Sequence, residues 1–479
     1  MRFWEMSLIV INFSFLIWFV FGKRKGGWLS ILFLSVAYSL VITQIAVEGG
    51  RWQMIPAYLT PLIMTLLSFV KKQTKNVRSR IKSTVQALLL TVYLLLSVTL
   101  PIVLPVFEFE KTTGPYLVGT TSYHWIDEKR SEDYTENPND KRELMVQIWY
   151  PTDKPDPTTK TPYIQNVPEI TEGLKRALSI PPTIFSHLGL VKTHAYLHAN
   201  LSDSEKRFPV LIFSHGLTGF RNQNTFQVEE LVSHGYIVIG IDHTFDAAAT
   251  VYPDGRVASI KFANLSGFPK LDEHIQLWTD DVSFVLDQVD KINQNDPQGL
   301  FTGRIDIDRI GMFGHSYGGA TAVQMLWKDA RVKAAINMDG TLYGTPIPEK
   351  GLGKPFMQMH AEKSVDKKKY FETVDLAIKQ TGKTRKEYEN NWNEMGRRWK
   401  NALANGGVSL IIPHTSHMSF TDFHLFSPLL PNKNEQPRQV HQIINKFSLA
   451  FFDKHLKQGN VSILDKLKVQ YPDVHFNVH

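Results

Sequence analysis

Residues 308–321 read DRIGMFGHSYGGAT, and this stretch decides the fold of the region around it. A short apolar run at 310–313 is followed by Gly-x-Ser-x-Gly centred on Ser316, and a helix-compatible run comes next. Between a strand and a helix this pattern makes a nucleophile elbow, a turn so tight that the positions two before and two after the serine must lack side chains. Because such a turn holds the serine in strained geometry with its hydroxyl exposed, Ser316 is the predicted nucleophile.

Apolar runs alternate with helical patterns on both sides of the elbow. The continuous apolar runs lie at 208–213, 236–241, 332–338 and 355–359, and the helix candidates lie at 223–234, 272–290 and 319–328. Continuous rather than alternating strands, separated by helices, indicate a mostly parallel sheet covered on both faces. The sequence therefore predicts an α/β-hydrolase fold for residues 111–479.

A charged segment at about 361–401 interrupts this rhythm. It is dense in Lys, Glu and Arg, with aromatic residues interleaved, and suits two amphipathic helices inserted after a strand. One interpretation is a solvated surface insertion, and the other is a lid over the active site that touches lipid.

An activated serine needs a base, and in this fold the base follows the serine in the chain. His414, His417 and His424 cluster after the predicted strand at 408–413, where a catalytic histidine is required. Spacing alone does not choose between His414 and His417. A zinc site is a weaker interpretation, because no acidic pattern that would orient zinc ligands accompanies the histidines. We therefore expect neither a metal nor a cofactor.

The acid and the oxyanion donors complete the predicted machinery. Asp339 ends a strand-like run, whereas Asp366 lies one strand later in a lysine-rich setting, so the residues alone favour Asp339 about two to one. The elbow offers the backbone N–H of Tyr317 to the oxyanion, and the turn after the 208–213 run offers the N–H of Leu217.

The first 110 residues have a different composition. Four apolar stretches, at 6–21, 28–47, 54–70 and 84–107, are each near the roughly 20 residues that cross a bilayer. Basic residues cluster at 23–25 and 71–82, between the first two and the last two stretches. By the positive-inside rule these loops are cytoplasmic. The sequence predicts a multi-pass membrane region of about four helices at 1–110, in the cell membrane, with the catalytic domain extracytoplasmic.

Charge and cysteine content exclude several classes. The net charge is +7, but the basic excess lies in the first 110 residues, and Lys and Arg balance Asp and Glu over the remainder. A nucleic-acid-binding domain needs a basic face, so we expect no nucleic-acid partner. The chain has no cysteine, which excludes disulfides, thiolate metal sites and a cysteine nucleophile.

Motifs throughout the soluble part resemble those of one family. They include GPYLVGT, IWYP, FPVLIFSHGLTGFR, LVSHGYIVIGIDH, DRIGMFGHSYGGAT, INMDG, HMSFTDF and SLAFFDKHL. The chain is similar to the secreted, plasma-type platelet-activating factor acetylhydrolases. Carried across, the resemblance implies Ser316 as nucleophile, Asp339 as acid, His417 as base, and Leu217 and Tyr317 as oxyanion donors. The family pattern His-x-x-Phe-x-Asp-Phe selects His417 among the histidines. The family's aspartate ends a strand soon after the elbow, so the resemblance favours Asp339 over Asp366.

The sequence thus predicts a membrane-anchored serine esterase. The resemblance implies a phospholipid substrate with a short or oxidised acyl chain at the second glycerol carbon, and the predicted partners are this substrate and the lipid bilayer. One alternative is a cutinase-like or general carboxylesterase. Another is a non-catalytic membrane sensor whose hydrolase-like domain binds a ligand without turnover.

Overall fold

The computed structural model of the chain describes residues 1–21, 27–70, 80–153, 159–178, 180–261, 265, 267–381, 384–459 and 463–479. Their contacts divide the chain into two units. The first comprises Met1–Glu108, Ile184–Val191 and Phe426–Leu429, and the second comprises the rest. The first unit therefore includes two short segments from beyond the predicted boundary at residue 110.

Helices make up the first unit. They are α1 (Phe3–Phe21), α2 (Trp28–Glu48), α3 (Ile55–Val70) and α4 (Arg80–Val103). Leu8 and Met54 belong to its buried core. Arg51 donates through Nε and Nη2 to the two carboxylate oxygens of Glu5, at 2.7 and 2.9 Å, and both side chains are buried. Because a buried charge without its partner is strongly destabilising, this pair ties α1 to the link between α2 and α3.

The described helices do not support the prediction of four membrane spans. Within these residues one helix, α2, is long and apolar enough to cross a bilayer, and two shorter apolar helical stretches are Phe3–Trp18 and Thr91–Val103. The prediction rested on the number of apolar residues in each stretch, which does not show where a helix ends. Helix α3, for example, is only 16 residues long and falls short of the roughly 20 residues that cross a bilayer. The basic residues at 23–25 and 71–78, on which the predicted orientation depends, lie outside the described residues.

The second unit is a mixed α/β domain. Its strands are β1 (Leu117–Ser131), β2 (Lys141–Thr152), β3 (Lys160–Pro162), β4 (Lys192–Leu197), β5 (Phe208–Ser214), β6 (Ile237–Asp242), β7 (Ala249–Val251), β8 (Val257–Ser259), β9 (Ile305–His315), β10 (Val332–Met338), β11 (Phe356–Ala361), β12 (Val408–Ile412) and β13 (His475–Val478). Its helices are α5 (Val167–Leu178), α6 (Thr225–Ser233), α7 (Phe268–Gln294), α8 (Tyr317–Lys328), α9 (Glu362–Val365), α10 (Lys367–Thr381), α11 (Arg385–Leu403), α12 (Pro437–Leu456) and α13 (Ile463–Gln470).

Eleven of the described strands form one sheet. Their order is β13-β12-β11-β10-β9-β5-β6-β2-β1-β4-β3. The run from β12 to β6 is parallel throughout, and β13 and β2 join its two ends antiparallel. All residues of β5 and β6 are buried, as the continuous apolar runs predicted. Since β5, β9 and β10 are parallel neighbours, the loops that follow them meet at one edge of the sheet.

The predicted strands and helices around the elbow are confirmed to within a few residues. The differences lie elsewhere: β3, β4 and β13 extend the sheet, and α12 covers it with a buried face that includes Phe447 and Phe451. Short strands with little apolar content, such as β3, carry no period-2 signal in the sequence.

The charged insertion forms α9, α10 and α11. Its aromatic residues contact one another, since the rings of Tyr370 and Trp392 lie 4.8 Å apart and Phe371 packs edge-on against Tyr370 at 5.1 Å. Arg398 of α11 is buried and donates to both carboxylate oxygens of Asp272 at 2.7 and 2.6 Å. These contacts favour a fixed part of the domain over a lid whose aromatic residues face lipid.

The tight elbow gives a prediction about stability. A methyl group at Gly314 would lie 2.3 Å from the backbone of Gly318, so Gly314→Ala should lower the free energy of unfolding by about 1–3 kcal/mol or more. At Gly396, within α11, a methyl group meets nothing within 4 Å, so Gly396→Ala should be neutral or stabilising by about 0.5–1 kcal/mol. Thermal unfolding measures both, and equal melting temperatures for the two variants would contradict the elbow geometry.

Candidate active site

Ser316 lies between β9 and α8 in a strained backbone conformation. Its φ is 55° and its ψ is −118°, a region that residues with side chains rarely adopt. Its N–H donates to the carbonyl of Met338 at 2.9 Å, which ties the turn to β10. A methyl group at Gly340 would lie 2.2 Å from the Ser316 carbonyl, so the neighbouring loop also packs directly on the turn. The surrounding backbone therefore holds Ser316 in a tight turn between β9 and α8.

The structure brings Ser316, His417 and Asp339 together. His417 Nε2 lies 2.9 Å from Ser316 Oγ, and His417 Nδ1 lies 2.8 Å from Asp339 Oδ2. With Nδ1 protonated and donating to the carboxylate, Nε2 is free to accept the serine proton. The His417 side chain is 45% exposed, whereas that of Asp339 is 1% exposed. A reactant can therefore approach from the side of the serine and the histidine while the carboxylate stays dry.

The other candidates lie away from Ser316. Asp366 is at the start of α10, where its carboxylate accepts the N–H groups of Lys368 and Lys369 at 2.9 and 3.1 Å. His414 is exposed and lies 3.9 Å from a carboxylate oxygen of Glu362.

His424 is buried elsewhere, with its Nδ1 2.6 Å from a carboxylate oxygen of Glu435. Of the three predicted histidines, His417 is thus the one that contacts the serine.

Two side chains that sequence reasoning did not assign a role hold the histidine loop. Asp422 is buried and accepts the N–H groups of Thr225 and Phe226, at 2.7 and 3.3 Å, in the first turn of α6. Burial raises the pKa of the Asp422 carboxyl well above its usual range. Asn224 donates to the carbonyl of Phe420 at 2.6 Å. Both contacts connect the loop that carries His417 to the start of α6.

His315, the residue before the serine, also contacts His417. Its ring lies 4.5 Å from the ring of His417, its Nε2 lies 2.9 Å from the His417 carbonyl, and Gln223 Nε2 lies 3.2 Å from its Nδ1. Burial lowers the pKa of His315 well below its usual range, so the ring stays neutral. The elbow motif leaves this position unspecified, so the motif gave no signal for the contact.

The two predicted oxyanion donors lie beside the serine. Tyr317 begins α8, where the first N–H groups of a helix have no acceptor within the helix. A methyl group at Gly216 would lie 3.3 Å from Ser316 Cβ, which puts the turn that contains Leu217 against the elbow. The N–H groups of Thr218 and Gly219 donate to other carbonyls, at 3.0 and 2.8 Å, and fix this turn.

A buried polar network lies behind that turn. Ser214 Oγ is 2.8 Å from His243 Nε2, and His243 Nδ1 is 3.0 Å from Asp281 Oδ2. Arg142 donates to both oxygens of Asp281, at 3.0 and 2.6 Å. Burial lowers the pKa of His243, whereas Arg142 keeps the pKa of the Asp281 carboxyl below its usual range despite burial.

This network joins the end of β5 to three other elements. Its four members are far apart in the chain and follow no motif, so the sequence gave no signal for it. Within the described residues, no group of three or more His, Asp or Glu side chains is arranged to hold a metal ion.

Comparison with known proteins supports an esterase. A family model for platelet-activating factor acetylhydrolase, isoform II, matches residues 103–263 and 285–468. A platelet-activating factor acetylhydrolase from Cavia porcellus is 26% identical over 72% of this chain and 77% of its own length. A probable 1-alkyl-2-acetylglycerophosphocholine esterase from Arthroderma benhamiae is 32% identical over 32% of this chain and 38% of its own length.

A solved structure is also similar. It is a ferulic acid esterase from Streptomyces cinnamoneus, which is 27% identical and superimposes with a TM-score of 0.60, covering 78% of this chain and 99% of the other. These similarities support hydrolysis of esters, so the interpretation as a non-catalytic sensor is not retained. The chain is an ester-hydrolysing enzyme and belongs to the family of platelet-activating factor acetylhydrolase, isoform II.

Proposed function

We propose that the chain is a serine esterase that cleaves short or oxidised acyl chains from phospholipids. In this proposal Ser316 is the nucleophile, His417 the general base and Asp339 the acid that orients it. The observation that carries the proposal is the continuous path of hydrogen bonds from the serine hydroxyl through the imidazole to a buried carboxylate, with distances of 2.9 and 2.8 Å.

The proposed reaction has two stages. His417 Nε2 accepts the hydroxyl proton as Ser316 Oγ attacks the ester carbonyl, and the backbone N–H groups of Leu217 and Tyr317 stabilise the tetrahedral oxyanion. The imidazolium then returns its proton to the departing alcohol, which leaves an acyl-serine. In the second stage His417 takes a proton from water as the water oxygen attacks the acyl-serine carbonyl. The imidazolium then returns that proton to Ser316 Oγ as the bond to the acyl group breaks, which releases the acid and restores the enzyme.

Fixed aromatic residues around the elbow support a short acyl chain. The Tyr317 side chain is buried, its hydroxyl donates to the Leu271 carbonyl at 2.7 Å, and its ring packs edge-on against Trp278 at 4.9 Å. Leu217 and Tyr343 are partly exposed and pack against the same cluster. These side chains form an apolar wall beside the proposed oxyanion donors, and in this proposal the wall limits the length of the acyl chain that binds.

The similarity to a ferulic acid esterase supports a second candidate, a carboxylesterase with soluble substrates. A panel separates the two: phosphatidylcholines with acetyl, butanoyl, hexanoyl or hexadecanoyl groups at the second position, together with methyl ferulate. We expect kcat/KM to fall at least about 10-fold from acetyl to hexadecanoyl and to be lowest for methyl ferulate, because the wall excludes bulk. Faster turnover of methyl ferulate than of every phospholipid would favour the second candidate.

The two candidate acids give a direct mutational test. Asp339→Asn should lower kcat by about 10²–10⁴-fold with KM nearly unchanged, because an amide no longer favours the imidazole tautomer that accepts the serine proton. Asp366→Asn is the matched control and should keep activity within about 2-fold, since Asp366 faces the start of α10. Steady-state kinetics on a short-chain ester measure both, and a larger loss in Asp366→Asn would refute the assignment.

We also propose that the N-terminal helices anchor the enzyme in a membrane through α2, which within the described residues is the helix long and apolar enough to cross a bilayer. Ile31 and Ile42 on α2 are 67% and 69% exposed, and an apolar surface on a helix long enough to cross a bilayer suits a lipid environment. Because the units are parts of one chain, anchoring would raise the local concentration of lipid substrate.

Membrane attachment predicts a specific sensitivity to charge. The double substitution Ile31→Lys and Ile42→Lys should release the protein from membranes during alkaline carbonate extraction, because each lysine in a bilayer costs about 2.5–3.5 kcal/mol. Ile126→Lys changes an exposed isoleucine of β1 and is the matched control, which should stay with the membranes. Recovery of the wild-type protein in the soluble fraction would contradict the anchor.

A further inference from the structure

The end of β11 and the short helix α9 together contact both oxygens of the proposed catalytic acid. The N–H of Ala361, just before α9, donates to Asp339 Oδ1 at 2.8 Å, and the hydroxyl of Ser364 donates to Asp339 Oδ2 at 2.7 Å. Oδ2 is also the oxygen that lies 2.8 Å from His417 Nδ1. The carboxylate is therefore held by two donors besides the imidazole.

Helix α9 also holds the loop that leads to His417. The N–H groups of Glu362 and Lys363 lie 3.2 and 3.3 Å from the hydroxyl and carbonyl oxygens of Thr415, and the N–H of His414 donates to a carboxylate oxygen of Glu362 at 2.7 Å. Thr415 is two residues before His417. Helix α9 thus connects the acid to the chain that carries the base, although it lies at the start of the charged insertion.

We propose that Ser364 is a positioning residue for the reaction, which orients Asp339 toward His417 and limits how strongly the carboxylate stabilises the imidazolium. This rests on the proposed roles of Ser316, His417 and Asp339. Sequence reasoning drew only Asp366 from this stretch, because no motif distinguishes Ser364 from an ordinary surface serine.

The direction in which Ser364 changes the pH dependence of the reaction follows from the charge on Asp339. A hydroxyl that donates to a carboxylate shares its negative charge, so the carboxylate holds a neighbouring imidazolium less tightly. Removal of the hydroxyl from Ser364 leaves Asp339 Oδ2 with the imidazole as its remaining side-chain donor within the described residues. The imidazolium form of the base then persists to higher pH, and the enzyme becomes active only at higher pH.

Other ionisable groups near the base do not mask this effect. Burial lowers the pKa of His315 well below its usual range and lowers that of His360 to about 4, so both rings are neutral over the working range. Burial raises the pKa of the Asp422 carboxyl well above its usual range, and its two oxygens accept the N–H groups of Thr225 and Phe226 rather than contacting His417. The charged groups near α9 and the His417 loop have partners of their own. Glu362 pairs with Lys369 and His414, Glu435 pairs with His424, and Lys363 donates to the side-chain oxygen of Asn432.

The test compares variants of the full chain. Ser364→Ala removes the hydroxyl, Ser364→Thr keeps one, and Ser283→Ala removes a half-buried hydroxyl of α7 as a control. The measurement is kcat and KM for p-nitrophenyl acetate from pH 5 to 9. We expect the acid limb of the Ser364→Ala profile to move up by about 0.5–1 pH unit. This lowers kcat about 3–10-fold at a pH below the limb, whereas the alkaline plateau and KM change less than about 3-fold.

The controls separate positioning from simple structural support. Ser364→Thr and Ser283→Ala should keep the acid limb of the wild type. An unmoved limb in Ser364→Ala, including an equal loss of kcat at every pH, would overturn the proposal, and so would a Ser364→Thr profile that matches Ser364→Ala. Failure of the proposed function itself has another signature, which is retention of hydrolysis by Ser316→Ala, and this is independent of the Ser364 result.

Discussion

A serine hydroxyl becomes a useful nucleophile only when a base stands within reach of its proton, and in this chain that condition depends on two hydrogen bonds that end at Asp339. Both ends of the path carry backbone strain. Ser316 and Asp339 have φ values of 55° and 53°, and such conformations cost of order 1–3 kcal/mol each outside glycine. The parallel sheet supports this strain, because the N–H of Ser316 bonds to β10 and that of Asp339 to β11.

Each member of the proposed triad is held by a different kind of contact. The serine is held by glycines that let neighbouring backbone approach within contact distance. The base is held by buried polar contacts to α6 that involve Asp422 and Asn224, and the acid by α9. The turn that contains Leu217, a proposed oxyanion donor, follows Ser214, and Ser214 contacts the network of His243 and Asp281. These contacts hold the side chains of Ser316, His417 and Asp339 within hydrogen-bond distance of one another in the structure as it stands.

Sequence reasoning reached the elbow because one short stretch contains all of it. The residues alone favoured Asp339 over Asp366, because an apolar run leads directly into Asp339, but the full choice depends on which strand pairs beside β9. His414 and His417 are three residues apart, and a single turn decides which of them faces the serine. Resemblance to a family strengthened the first choice and supplied the second. The supporting contacts of His315, Ser364 and Asp281 depend on tertiary packing, which the sequence does not show. In the first 110 residues, hydropathy identified apolar stretches but did not give the lengths of the helices.

The central claim is that Ser316 is the activated nucleophile of an esterase. Its most direct test is mass spectrometry of peptides from protein treated with a fluorophosphonate ester, with His417→Ala treated in parallel. The account predicts one phosphonyl adduct, on the peptide that contains Ser316, and strongly slowed labelling in His417→Ala because the base that activates the hydroxyl is gone. An adduct on a different serine, or labelling of Ser316 at the wild-type rate without His417, would contradict it.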